Sequence, residues 1–485
     1  PRRFPHQFER IKAALREAGI APGLWIDSSY CGWSIGGHPA ARLAIAQEVP
    51  ADFCEGDAWK QWEAQVHFCR ATEPVRSLYT EGFLHHIREN GVRLLKFDNF
   101  NSQCANPAHD HLPGVYANEA THDAVIECYR ALDAACPELF IMLYWGYRSP
   151  WWLLYGDTMF ETGVEMEAAS PGHLPALYVR DGVTRKLDQG HLFARDVPWL
   201  GTDSLGIWLS HWTWNSQIGP ERWPEGLVMD LCRGQALAQP WTDPEWLTPP
   251  ERRQMHEFIA LMKAQPACFI QARLILGDPW KPEPYGYCCG AGRRAFLAIN
   301  NGTWEDRVVT LELGPAWGLE GEGPWDLYRW YPNPARLAGG SEGVGGMAQM
   351  ALRPFEVVLL EVVPRGEAPS LSRHFREEPI PVRFAEASRP VPIQVAEPVA
   401  ADEPWTVSGT IPAGGSGGIL AVVLELADES GAPVELGNMG SLFQMEAAVS
   451  GSPVTAQAAV RPESYPSSWQ TWRISIPPAS PAQPF

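Results

Sequence analysis

The sequence is short of positive charge and of long apolar runs. It has 38 lysines and arginines against 57 aspartates and glutamates in 485 residues, a formal net charge of −19. Nucleic acids and anionic membranes attract basic surfaces, so neither is expected as a partner. The sequence contains no charge-free apolar run of about 18 residues that would predict a membrane-spanning helix. Residues 1–20 also lack the apolar segment typical of a signal peptide.

The cysteines show no recognisable framework. There are ten of them, but no Cys-x-x-Cys pair and no Cys/His spacing typical of a zinc site. His85-His86 is predicted on a helix and His109-Asp110-His111 in a loop, and without a third ligand at metal spacing they are interpreted as surface histidines. We therefore expect no metal and no cofactor. Free thiols favour a reducing compartment, so a cytoplasmic location is slightly favoured while the localisation itself stays open.

What is present is an alternation of helical patterns and short apolar runs over the first 270 residues. Helices are predicted at 7–18, 76–90, 119–134, about 225–234 and 250–264. Strands are predicted at 23–26, 92–97, 139–145, 158–160, 205–209 and, more weakly, 236–241. Runs that are apolar throughout are typical of parallel strands buried on both faces.

This count predicts an α/β fold followed by β domains. A (β/α)8 TIM barrel needs eight strands, and the chain enters directly into a helix. We therefore expect a barrel that lacks its first two βα units, in an N-terminally truncated chain. The alternative is a different α/β fold with a complete sheet. The predicted domains are a partial barrel over 1–270, an antiparallel β-sandwich over 271–364, a linker over 365–394 and a second, incompletely bounded β-sandwich over 395–485.

Charged and aromatic residues follow the predicted strands, where barrel enzymes place their chemistry. They are Asp27, Lys96, Asp98, Tyr144, Trp145 and Glu161. Two carboxylates from different strands are what glycoside hydrolysis requires, one to attack the anomeric carbon and one to protonate the leaving oxygen. The charge of Lys96 would keep Asp98 ionised, and Trp145 offers a flat face to a sugar ring. Alternatively, these carboxylates are solvated residues of strand-ending turns.

Several of these motifs resemble a known family. Arg3-Phe4-Pro5, Gly23-Leu24-Trp25, Lys96-Phe97-Asp98-Asn99 and Trp145-Gly146 follow in the order seen in clan D glycoside hydrolases, families 27 and 36, which are α-galactosidases and α-N-acetylgalactosaminidases. The resemblance implies a retaining α-glycosidase in which Asp98 is the nucleophile and Lys96 contacts the sugar. It also implies an oligosaccharide or other glycoside as the partner; the oligomeric state stays open.

The sequence departs from the family pattern at two places. The family's Glu-Trp pair is here Tyr144-Trp145, which removes one sugar contact. No aspartate stands where the family has its general acid/base, so we expect Glu161 in that role, with Glu165 and then Glu167 as alternatives. Asp27, Tyr144, Trp145 and Asp203 are the further predicted substrate contacts.

Two other functions stay open at this point. Tyr144 and the missing aspartate would suit a non-catalytic carbohydrate-binding protein on a decayed hydrolase scaffold. A glycosyl-transferring relative, similar to raffinose-type synthases, would use the same site with a sugar acceptor in place of water.

Overall fold

The structure is a computed structural model, and it describes most of the chain in segments. The described residues are 8–27, 30–31, 66–67, 69–98, 100, 102–147, 149–160, 188–189, 197–203, 207–209, 223–242, 244–338, 344–383, 393–396, 404–411, 418–430, 434, 443–458, 469–476 and 483–484. The chain divides into two compact units, which are treated separately below. The first comprises residues 1–162 and 196–203, and the second 163–195 and 204–485.

The first unit is built on a parallel sheet. Its elements in chain order are α1 (Glu9–Glu17), β1 (Gly23–Asp27), β2 (Tyr30–Cys31), β3 (Val66–His67), α2 (Glu73–Asn90), β4 (Leu94–Asp98), α3 (Ala117–Ala135), β5 (Phe140–Leu143), a 3-10 helix (Pro150–Leu154), β6 (Thr158–Phe160), a second 3-10 helix (Trp199–Gly201) and β7 (Thr202–Asp203). The sheet has the order β1-β4-β5-β6-β7, with each neighbouring pair parallel. β2 and β3 form a separate antiparallel pair.

One face of this sheet packs against the helices. Leu95 and Phe97 of β4 alternate with Lys96 and Asp98, as the two-residue period of a strand requires. The two apolar residues join a buried cluster with side chains of α2, α3 and β5, among them Phe83, Val125 and Leu143. The charged pair on β4 therefore points to the opposite face.

The second unit combines a parallel strand pair, helices and antiparallel sheets. Its elements are β8 (Ile207–Leu209), α4 (Trp223–Leu231), β9 (Pro240–Thr242), a 3-10 helix (Pro244–Trp246), α5 (Pro249–Ala264), α6 (Pro266–Phe269), β10 (Ala272–Leu276), β11 (Tyr285–Ala291), β12 (Arg294–Asn300), β13 (Arg307–Glu312), a 3-10 helix (Pro315–Trp317), β14 (Trp325–Tyr331), β15 (Ala335–Ala338), β16 (Met347–Leu352), β17 (Val357–Pro364), β18 (Arg376–Pro379), β19 (Ile393–Ala396), β20 (Thr406–Ile411), β21 (Gly418–Glu425), β22 (Ala447–Val449), β23 (Ser452–Val454), β24 (Ala456–Ala458), β25 (Trp469–Ile476) and β26 (Gln483–Pro484).

A seven-stranded sheet organises the middle of this unit, in the order β10-β11-β12-β17-β14-β15-β18. The pair β13-β16 covers it, because Val309 and Leu311 of β13 share a buried cluster with Leu297 and Leu360 of the larger sheet. Two layers of strands around one apolar core are the arrangement of a β-sandwich. Beyond residue 393 the described strands form smaller sheets, β19-β20-β26, β21-β25-β24 and β22-β23.

The predicted fold class is confirmed at the level of a parallel sheet with helices followed by antiparallel sheets. The structure adds β7, which is too short to leave an apolar run in the sequence. It also places β18 inside the predicted linker, where it extends the large sheet beside β15. Closure of a barrel, the missing βα units and the domain boundaries stay predictions. Among the described helices, none is long and apolar enough to cross a membrane.

Candidate active site

The site begins with the alternation of β4. Lys96 and Asp98 lie two residues apart and therefore on the same face, at the carboxyl end of a parallel strand. Lys96 is 6% exposed and Asp98 8% exposed. Ionised groups buried to this degree need compensating partners, so the environment of these two side chains decides what the site can do.

Asp98 is held by an indole from the neighbouring strand. β1 and β4 run parallel with Trp25 opposite Lys96 and Asp27 opposite Asp98. Trp25 donates a hydrogen bond from Nε1 to Oδ2 of Asp98, with 3.0 Å between the two atoms. This hydrogen bond restrains the orientation of the Asp98 carboxylate.

Lys96 sits among an aromatic ring and two carboxylates. Its Nζ lies 3.8 Å from the centre of the Tyr144 ring, a cation–π distance. Burial lowers the pKa of Lys96, while the charges of Asp203 and Asp98 oppose that change, and the net direction is downward. Of the two carboxylates, Asp203 has the larger influence on the pKa of Lys96.

Asp203 reaches the site from the short strand β7. It pairs with Phe160 of β6 and is 1% exposed. Because the strands are parallel and in register, Asp27, Asp98 and Asp203 end their strands at one edge of the sheet. Ligand sites of parallel sheets lie at this carboxyl edge.

The loops behind the site are tightly packed. The amide of Phe100 donates to the carbonyl of Trp145 at 2.9 Å, and the rings of Phe100 and Tyr147 stack with centres 4.7 Å apart. Gly146 lies between them with φ of 93°, and a Cβ built there would lie 2.2 Å from the Phe100 carbonyl oxygen. Because the backbone at Phe100, two residues after Asp98, comes this close, position 146 requires glycine.

The structure brings four of the predicted site residues together: Lys96, Asp98, Tyr144 and Asp203. Trp145 lies at the same edge and is partly exposed. The predicted acid/base candidates Glu161 and Glu165, with Glu167, lie outside the described residues, as does the side chain of Asp27.

Sequence reasoning missed the contact made by Trp25. This residue carried part of the family resemblance but was not predicted to touch Asp98. Two-residue counting back from Asp27 on β1 places Trp25 on the same face as Lys96, and that count was the available signal.

Comparison with known proteins gives a likeness of fold. No protein-family model matches the sequence, and no curated protein matches it. Among solved structures, the α-galactosidase of Lactobacillus brevis is similar with a TM-score of 0.50 and 13% sequence identity. That match covers 77% of this chain and 48% of the α-galactosidase.

Two further solved structures have slightly lower TM-scores. A family 36 α-galactosidase of Geobacillus stearothermophilus in complex with raffinose has a TM-score of 0.49 and 13% identity, over 74% of this chain and 46% of that one. An Anoxybacillus α-amylase has a TM-score of 0.45 and 10% identity, over 75% of this chain and 80% of the amylase. The chain thus spans about half the length of the α-galactosidases that it matches.

Proposed function

We propose that this protein is a retaining α-glycosidase that cleaves terminal α-galactoside-type bonds, with Asp98 as the nucleophile. The observation that carries the proposal is the surroundings of Asp98. It is a nearly buried carboxylate at the carboxyl end of a parallel strand, with one oxygen held by Trp25 and a buried lysine on the same strand face. The fold likeness to a Lactobacillus brevis α-galactosidase supports the same class of reaction.

The proposed reaction has two displacements. In the first, Asp98 attacks the anomeric carbon while a carboxylic acid gives its proton to the leaving oxygen, and a covalent glycosyl-enzyme forms. In the second, the same acid, now a carboxylate, removes a proton from water, which releases the sugar and regenerates Asp98. Glu161 is the first candidate for this acid and Glu165 the second.

Three further groups have roles in this scheme. Lys96 donates to a sugar hydroxyl and balances the charge of Asp98, while Asp27 and Asp203 accept from hydroxyls at the sheet edge. Trp145, which is partly exposed, presents an aromatic face to the sugar ring, while the buried ring of Tyr144 contacts the Lys96 ammonium at the edge of the sugar site. Retention further requires the carboxyl groups of Asp98 and its acid partner to lie about 5–5.5 Å apart, whereas about 6.5–9.5 Å would indicate inversion.

Chemical rescue tests these assignments. Asp98→Gly should lower kcat on an activated aryl α-galactoside by roughly 10⁴-fold or more, since removal of a nucleophile eliminates the covalent route. Added azide should restore turnover by one displacement and release a β-galactosyl azide with the aryl phenolate. Glu161→Gly should instead give an α-galactosyl azide, because azide then attacks the glycosyl-enzyme.

The control is Asp133→Ala, which removes an exposed carboxylate on α3 of the same unit and should leave kcat unchanged. Product anomers are read by NMR. Full activity of the Asp98→Gly protein would contradict the nucleophile assignment. An α-azide from Glu165→Gly, with none from Glu161→Gly, would move the acid/base role to Glu165.

Binding and turnover assays on the same purified protein distinguish the alternative functions. Tyr144, which faces the Lys96 ammonium in place of a carboxylate, favours a sugar-binding protein without turnover. Sugar binding by calorimetry with no release of aryl alcohol would support that function. Transfer to an added sugar acceptor, at the expense of hydrolysis, would identify a glycosyl-transferring enzyme.

A further inference from the structure

Four side chains of types that bind metals meet in the first unit, and none of them has a role in the proposed reaction. Cys69 lies just before α2, and Cys104, His109 and His111 lie on the segment between β4 and α3. Their donor atoms all lie within 4.8 Å of one another. Over the part of the chain that the structure describes, no other group of His, Cys, Asp and Glu side chains has this arrangement.

The distances suit a single small ion. Sγ of Cys69 is 3.2 Å from Nε2 of His111, and Sγ of Cys104 is 3.3 Å from Nδ1 of His109. Zinc binds thiolate at about 2.3 Å and imidazole at about 2.0–2.1 Å, so a tetrahedral ion would place neighbouring ligand atoms about 3.4–3.8 Å apart. The two sulfur–nitrogen distances are a few tenths of an ångström shorter than this and all other donor pairs lie within 4.8 Å, so small side-chain movements would accommodate the ion.

The histidine rings are oriented from outside the cluster. Nδ1 of His111 lies 3.0 Å from the carbonyl oxygen of Leu112, which can only accept, so Nδ1 carries the proton and Nε2 presents its lone pair to the cluster. The side-chain amide nitrogen of Asn106 lies 3.0 Å from Nε2 of His109 and holds the ring with Nδ1 toward Cys104. For Nδ1 to bind a metal, Nε2 must carry the proton, so the Asn106 amide would turn its oxygen toward Nε2 to accept it. Outer contacts of this kind fix the rings of metal-bound histidines.

The backbone of the cluster is also fixed. The amide of Gly114 donates to the carbonyl of Cys104 at 2.6 Å, which closes the segment that carries both histidines. Thr72 donates from Oγ1 to the carbonyl of Cys69 at 2.9 Å, at the start of α2. Both thiols are buried, each 1% exposed.

We propose that Cys69, Cys104, His109 and His111 form a structural zinc site that ties the segment after β4 to the start of α2. Two thiolates and two neutral imidazoles give a closed tetrahedral set, the composition of structural zinc sites. The net charge of the ion with its two thiolates is zero, which suits a largely buried position. The tied segment follows Asp98 directly in the chain, and the site itself takes no part in the proposed reaction.

Metal analysis of the purified protein tests this assignment. We expect about one zinc per chain by elemental mass spectrometry, and replacement by cobalt should give the visible absorption of a tetrahedral thiolate complex. His111→Ala should lose both signals, and His111→Cys should restore them because it supplies another thiolate. Cys136→Ser, a buried cysteine of the same unit outside the cluster, should retain them.

A second measurement tests the proposal even if the His111→Ala variant does not fold. If His111→Ala is insoluble, the wild-type protein is treated with a strong chelator, and its melting temperature should fall and then recover when zinc is added. Wild-type protein that holds no zinc after expression with added zinc, and that takes up no cobalt, overturns the proposal. A disulfide between Cys69 and Cys104 under non-reducing mass analysis overturns it as well.

Discussion

At the scale of single residues, Lys96 links the electrostatics of the site to its chemistry. Burial disfavours its charge, whereas Asp203 and Asp98 favour it. The result is a lysine whose pKa lies below its usual 10.5. A group with these opposing influences loses its proton in a pH range where exposed lysines keep theirs, and titratable groups of this kind concentrate at functional sites.

This arrangement predicts the alkaline limb of the pH profile. As pH rises through the lowered pKa of Lys96, the positive charge beside Asp98 disappears, and kcat/KM should fall with an apparent pKa below 10.5. Lys96→Arg keeps its charge at these pH values, so its alkaline limb should move upward. Lys96→Met should lose roughly 10²-fold in kcat/KM at neutral pH, as for the loss of one stabilising donor, and should lose this limb altogether.

The pH dependence of folding stability supplies the control, because the contribution of Lys96 to the free energy of unfolding should rise over the pH range in which kcat/KM falls. Between the lowered pKa of Lys96 and its unfolded value, the unfolded chain binds more protons, so the contribution of Lys96 to folding becomes more favourable as pH rises. The difference in free energy of unfolding between wild type and Lys96→Met should change in that direction. A parallel loss of activity and stability in this window would contradict the role of Lys96.

At the scale of elements, the sequence predicted most of the first unit because its two longer helices are periodic and its main strands are apolar runs. α2, α3, β1 and β4 lie within a few residues of the predicted ranges. β7 could not be found from pattern because two residues carry no period. β18, with the sequence Arg-Glu-Glu-Pro, reads as a linker since its charges suit solvent, and only its position at a sheet edge beside β15 makes it a strand.

The site residues likewise divide into those that local sequence pattern predicts and those that it does not. Lys96, Asp98 and Tyr144 were predicted because strand ends can be located from the apolar runs before them. The cluster of Cys69, Cys104, His109 and His111 was not, since its members are separated by up to 42 positions and have no short metal-binding spacing. Contacts of that kind depend on how the loops fold back.

The requirement for glycine at position 146, where two loops of the first unit meet, can be measured as a change in unfolding free energy. An alanine there would meet the Phe100 carbonyl at 2.2 Å and would also adopt an unfavourable φ of 93°. We expect Gly146→Ala to cost about 2–4 kcal/mol of unfolding free energy in urea titrations. Gly91→Ala is the matched control, because Gly91 has φ of 68° but nothing within 4 Å of its Cβ position, and it should cost about 1 kcal/mol. Equal losses of unfolding free energy in the two variants would show that the close approach to the Phe100 carbonyl does not contribute to the requirement for glycine.

At the scale of the whole chain, a buried ion network joins distant parts of the second unit. Asp188 accepts from Arg233 at 2.8 Å, from Tyr285 at 2.6 Å and from Tyr287 at 3.0 Å, and Arg233 also contacts Asp230 at 2.8 Å. Arg233, which follows α4, and the two tyrosines of β11 are thereby connected through Asp188, which lies earlier in the chain. Burial lowers the pKa of Arg233, but Asp188 and Asp230 raise it, and the net direction is upward.

Removal of one partner from this network should be costly. Asp188→Ala leaves the guanidinium of Arg233 buried with one carboxylate and leaves two tyrosine hydroxyls without their acceptor, so we expect a loss of about 3–5 kcal/mol in unfolding free energy. Tyr287→Phe removes the hydrogen bond to Asp188 and should cost about 1–2 kcal/mol. Glu73→Ala breaks an exposed ion pair with Arg76 and should cost less than about 1 kcal/mol. Urea unfolding followed by fluorescence gives all three values. If Asp188→Ala cost no more than Glu73→Ala, the network would not be what holds these segments of the second unit together.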